Sequence, residues 1–150
     1  MEFILGHVGP VSGGAVEGFL HPLLGLDHLL AMLTVGLLSA QLGGRAIWTV
    51  PTAFVSVMAI GGLIGFFGIQ LPFVEYGIAL SVVVLGAALL AQRRIPEGIA
   101  MICVGLFAMF HGHAHGAEMP SAAARDGMYA FAYIVGFLVA TAGLHVIGAL

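Results

Sequence analysis

Lysine is absent from this chain, and charge of either sign is scarce. Four arginines and seven acidic residues in 150 positions leave a formal net charge of -3. So small a charge gives no footing for a nucleic-acid or other polyanion partner. A soluble domain has about a quarter of its residues charged. Here the share is 7%, against 61% hydrophobic and a mean hydropathy of +1.13, which marks a membrane protein. Cysteine is rarer still. Cys103 stands alone, which rules out an intrachain disulfide and a thiolate metal cage and leaves it to fill space in a helix. No nucleotide-binding motif and no HEXXH is present. Linkers and low-complexity tails are missing too, so residues 1–150 form a single domain.

What the chain does have is long apolar runs, at 18–41, 46–68, 73–92, 95–116 and 127–150, each near the ~20 residues that span a bilayer. They are parted by short Gly, Pro and Arg breaks: GGR at 43–45, QLP at 70–72, RRIP at 93–96 and MPSAAARD at 119–126. The runs are continuous and too long for barrel staves. The expected fold is therefore all-α, a polytopic membrane bundle of about five transmembrane helices. Glycine is frequent, and GGLIG at 61–65 has small residues at spacings that let helices approach closely. Arg45 and the pair Arg93/Arg94 fall on one side of such a bundle and Arg125 on the other, which puts the N-terminus outside. That orientation fits a chain whose secretory signal has been removed or replaced, because residues 1–6 are too short to be one.

Ionisable residues inside a membrane cost at least ~2.5–3.5 kcal/mol each at mid-helix and are functional candidates by default. The first run contains HPLLGLDHLLAM, residues 21–32. Pro22 suits a first helical turn, with His21 at or just before the cap. His21 and His28, seven apart, share a helix face, whereas Asp27 reaches that point only at its edge or where the helix is distorted. The fourth run ends in FHGHAHGAE, residues 110–118, where His111, His115 and Glu118 at i, i+4 and i+7 form one stripe and His113 points away. Two imidazoles one turn apart plus a carboxylate suit a borderline divalent metal such as Ni²⁺, Co²⁺ or Zn²⁺. Gly112 and Gly116 lower helical propensity and would allow an unwound segment. Alternation of the helices puts Glu75, at the start of the third run, at the same depth. The candidate metal ligands are thus His21, Asp27, His28, Glu75, His111, His115 and Glu118, drawn from three separate runs to one level.

Other polar residues have plainer readings. His145, near the far end of the last run, is a packing residue or marks an exit. His7 is solvated, or a capture ligand at the mouth. Glu17 and Glu97 are placed at helix N-termini, where the dipole favours a carboxylate. Met101 and Met109 are core.

These two segments resemble the signature motifs of the HupE/UreJ family, membrane proteins associated with hydrogenase and urease maturation and regarded as nickel or cobalt permeases. The first signature is met by His21, Pro22, Gly25, Asp27 and His28. The second is met by Phe110, His111, Gly112, Ala114, His115, Gly116 and Glu118, and it leaves position 113 open. GIALSVVVLG after Glu75 is similar to the family's third helix. Members usually carry six helices, so a chain ending at Leu150 is expected to be truncated or a short relative. The resemblance implies uptake of nickel or cobalt across a bacterial inner membrane, with the ion as cargo, the bilayer as surroundings and no cofactor. Zn²⁺ is a possible surrogate. Driving energy would come from an ion gradient, the membrane potential or a partner. The rival reading is an intramembrane zinc-dependent hydrolase, in which a carboxylate would act as base. Against it, Ser39, Ser56, Ser81 and Ser121 all lie away from the histidine motifs in sequence. A metal sensor or accessory subunit is the third reading.

Overall fold

The computed structural model describes residues 10–92, 95–119 and 126–150. Within them lie six helices: α1 Pro10–Leu24, α2 Leu26–Leu42, α3 Ala46–Phe66, α4 Val74–Ala91, α5 Glu97–Ala117 and α6 Gly127–Ala149. The last four are each long and apolar enough to cross a membrane, and α1 and α2 pass the same test only together, as a pair bent by 83° at the break between them. His7, Arg93, Arg94 and Arg125 lie outside the described residues.

The break corrects the expectation of one straight helix over 18–41. Helix α1 begins at Pro10, so Pro22 and His21 sit in its last turn, not its first. Proline lacks an N–H and its ring crowds the preceding turn, which weakens the helix where it is about to end. Gly25 then adopts an extended backbone (φ -90, ψ 114). Its carbonyl accepts from the Leu29 amide at 2.9 Å and starts α2 afresh. Asp27 falls in the first turn of the new helix, and its Oδ1 accepts from the His28 amide at 2.8 Å. A carboxylate there offsets the positive end of the helix dipole. Glu17 is corrected as well. It lies in the middle of α1 and accepts from the hydroxyl of Tyr129 on α6. Glu97 does open α5, where it accepts the Thr49 hydroxyl at 2.6 Å, with Arg45 4.0 Å away.

Association in lipid depends on close packing and small residues, because the hydrophobic effect between helices is missing. Helices α3 and α5 show this on both partners. A Cβ on Gly61 or Gly65 would strike the carbonyls of Met109 or His113, and one on Gly112 or Gly116 would strike those of Met58 or Gly62. Gly112 and Gly116 therefore serve contact. Helix α5 runs unbroken through them to Ala117, and no unwound segment forms there. A second seam joins α1 to α6, where Gly14 and Gly18 lie on the Tyr129 and Tyr133 carbonyls and Gly136 on that of Ala15. Between the seams Met32, Val35, Phe54, Met58, Val104 and Ala108 form a buried core that Met101 packs against. Trp48, Leu90, Ile102, Leu106 and Phe131 face outward, as a lipid-exposed surface requires.

Gly116→Val should overpack the α3–α5 seam, at about 1–3 kcal/mol for an overfilled core site. A thermal melt of the detergent-purified protein, followed by size-exclusion chromatography, should show a lower midpoint than Gly86→Ala, where a Cβ meets open space.

Candidate metal site

The bend at Gly25 turns the end of α1 and the start of α2 toward one cavity. This cavity of about 250 Å³ is lined by His21 of α1, Asp27 and His28 of α2, Glu75 of α4, His111 and His115 of α5, and Glu118 at its C-cap. All seven residues singled out in the sequence therefore meet. Helix α4 enters from Phe73, which holds a left-handed backbone (φ 61, ψ 28) that bulky residues rarely adopt. That turn sets where Glu75 leaves the loop.

Two groups share the cavity. In the inner one, His28 Nδ1 stands 3.1 Å from His111 Nδ1 and 2.8 Å from His115 Nε2. His28 and His111 are 2% and 1% exposed, so water cannot solvate a charge held there. Two nitrogens bound at right angles, each ~2.1 Å from one ion, would lie about 3.0 Å apart. The imidazoles are thus spaced as ligands of a single cation. His28 Nε2 and His115 Nδ1 are buried without a hydrogen-bond partner among the described residues, so neither ring is fully occupied by packing. The outer group is His21, His115 and Glu118, whose ligand atoms all lie within 4.8 Å of one another. His21 Nε2 is 4.0 Å from Glu118 Oε2, and these side chains are 32% and 59% exposed. His115 belongs to both groups. Phe137 backs them with its ring 4.6 Å from that of His115 and 5.4 Å from that of His28, closing the cavity on the α6 side.

One polar neighbour of the site escaped the sequence reading. Ser81 on α4 is fully buried with its Oγ 2.9 Å from His111 Nε2. The same hydroxyl donates to the Ile78 carbonyl at 2.6 Å, so it accepts from His111 Nε2–H. That fixes the tautomer and leaves the His111 Nδ1 lone pair facing His28, the kind of support that holds a metal ligand in register. It also uses up the hydroxyl proton on a backbone carbonyl, which is no arrangement for a nucleophile. Ser81 lies 30 residues from His111 along the chain. The one signal available was its place on the same i+3 row of α4 as Glu75 and Ile78.

His113 leaves the cluster, as its position on α5 predicts. It is buried, and its Nε2–H donates to the Ile69 carbonyl at 2.7 Å, tying α5 to the α3–α4 loop. His145 is also outside the cavity, across the ring of Phe54, and Met109 is half-buried.

Comparison with known proteins gives two findings. The sequence profile described as HupE / UreJ protein matches residues 2–150. A curated relative, Protein HupE of Rhizobium leguminosarum bv. viciae, is 49% identical over 142 residues, covering 95% of this chain and 72% of its own length. No solved structure matches the chain.

Ser81→Ala should free the His111 tautomer and weaken Co²⁺ binding about tenfold, the lower end of what loss of a supporting hydrogen bond costs a metal site. His113→Ala should leave the affinity within about twofold, because its bond serves a loop and not a ligand. Equilibrium dialysis of the purified protein distinguishes the two.

Proposed function

Since the chain belongs to the HupE/UreJ family, a family of metal permeases and not of enzymes, we propose that it carries Ni²⁺ and Co²⁺ inward through the His/carboxylate cavity. The whole chain acts as one unit in the bacterial inner membrane, with its N-terminus and the cavity mouth on the outer side. The observation that carries this reading is the pair of overlapping ligand groups joined at His115, one exposed and one buried.

Each group has its own task. Glu118 and His21 meet a hydrated cation at the rim, where a carboxylate attracts charge and an imidazole begins to replace water. His115 binds next without the ion having to leave His21. Because its ring also faces His28, the cation can change partners one ligand at a time, and a fully bare ion never forms. His28 and His111 complete the exchange in a place water does not reach. Asp27 and Glu75, exposed at the cavity wall, balance the charge. Imidazole favours nickel, cobalt and zinc over magnesium and calcium, which prefer all-oxygen cages. Conduction also requires that no station hold the ion too firmly. Sharing one histidine between two incomplete groups meets that need.

Radiolabelled nickel and cobalt uptake into metal-starved cells tests the proposal. His28→Ala and His111→Ala should each abolish uptake while the protein still inserts in the membrane, and His113→Ala should keep most of it. Retained uptake in His111→Ala together with loss in His113→Ala would refute the assignment of ligands. The sign of the pH dependence follows from the ligands, because a protonated imidazole cannot bind a metal. Uptake should therefore fall once pH is lowered far enough to protonate the ligand imidazoles and stay level above that.

A further inference from the structure

We propose that His145 is a second, inner station for the transported cation, separated from the His28/His111 group by the ring of Phe54. The inference rests on the transport reading and extends it toward the opposite membrane face.

His145 lies on α6 at 2% exposure, and both of its ring nitrogens lack a hydrogen-bond partner among the described residues. Thr141, one turn earlier on the same face, is fully buried and its Oγ1 is unpartnered too. Buried polar atoms in folded proteins are nearly always hydrogen-bonded, and the packing histidine His113 gives its Nε2–H to a backbone carbonyl, leaving only Nδ1 without a partner among the described residues. His145 does nothing of the kind. An imidazole with two idle nitrogens inside a membrane bundle is a ligand in waiting for a borderline divalent cation.

Its position fits passage of an ion. The Phe54 ring, 0% exposed, lies 6.1 Å from the ring of His111 on one side and 5.2 Å from that of His145 on the other. One phenyl ring thus contacts both stations, and its rotation is the smallest movement that would join them. Beyond it, His145 lines a cavity of about 460 Å³ that also includes Trp48, Thr52 and Ser56 of α3. These lie in the first half of α3, and His145 in the last turns of α6, at the end of the bundle away from His21 and Glu118. Thr52 and Ser56 are the two hydroxyl side chains in its otherwise mostly apolar lining, and Trp48 suits the membrane interface.

The test uses purified protein in liposomes loaded with a Co²⁺-quenched dye, together with Co²⁺ binding in detergent. His145→Ala should bind Co²⁺ as the wild type does, because the outer ligands are intact, yet import it about tenfold more slowly, equivalent to ~1.4 kcal/mol on the barrier. Import within twofold of wild type would overturn the proposal. A second arm does not depend on transport. In H145C, added Co²⁺ should produce thiolate-to-cobalt charge-transfer absorption beyond any given by wild type, which carries Cys103. No such band with the outer site filled would overturn the proposal as well. Wild-type liposomes that import no Co²⁺ would instead refute the transport reading, and the absorption arm would still decide whether the cation reaches position 145.

Discussion

An imidazole nitrogen buried where water cannot reach must have a proton donor, a proton acceptor or a cation, and the bundle is arranged around that demand. Three histidines from α2 and α5 converge with ring nitrogens 2.8 and 3.1 Å apart, closer than packing alone requires. Among the described residues only one ring nitrogen of this trio has an outside partner, the serine hydroxyl that receives His111 Nε2–H. The glycine seams exist to bring the backbones near enough for such contacts. Without Gly112 and Gly116 lying directly on α3, His111 and His115 could not be held in register with a helix on the other side of the cavity.

The stripe on α5 was legible in the sequence because it depends on local periodicity, and periodicity survives inside a membrane. His111, His115 and Glu118 face the cavity and His113 faces away, as a rotation of ~100° per residue dictates. The depth of Glu75 was legible for a related reason, since helices that alternate across a bilayer fix levels without any knowledge of packing. The bend at Gly25 was not. Pro22 reads equally well as the first turn of one helix or the last turn of another, and only the extended backbone at Gly25 distinguishes them. Placing the helix start at residue 18 also left Glu17 at an N-terminus it does not occupy. Ser81 was illegible in a different way, because a partner 30 residues distant leaves no local signature. Gly112 and Gly116 misled through propensity: their weak preference for helix is real, but contact with α3 overrides it.

The relation to HupE adds identity to this geometry. A 49% identical relative spanning 95% of the chain leaves no room for a coincidental motif. The metal chemistry remains that of the side chains themselves, and the same donors would serve nickel or cobalt.

The two glycine seams also divide the molecule mechanically. Helices α3 and α5 touch backbone to backbone, as do α1 and α6, so each pair behaves as a stiff plate with little slack between its members. His111 and His115 ride on one plate and His21 on the other. Helix α2 joins the second plate through the elbow at Gly25 and again at its far end, where Gly36 lies on the His145 carbonyl and Gly148 on that of Leu33, and it carries His28 into the gap. Because α2 is held to α6 at its far end, a change in the spacing of these side chains requires α2 and the second plate to move together against the first.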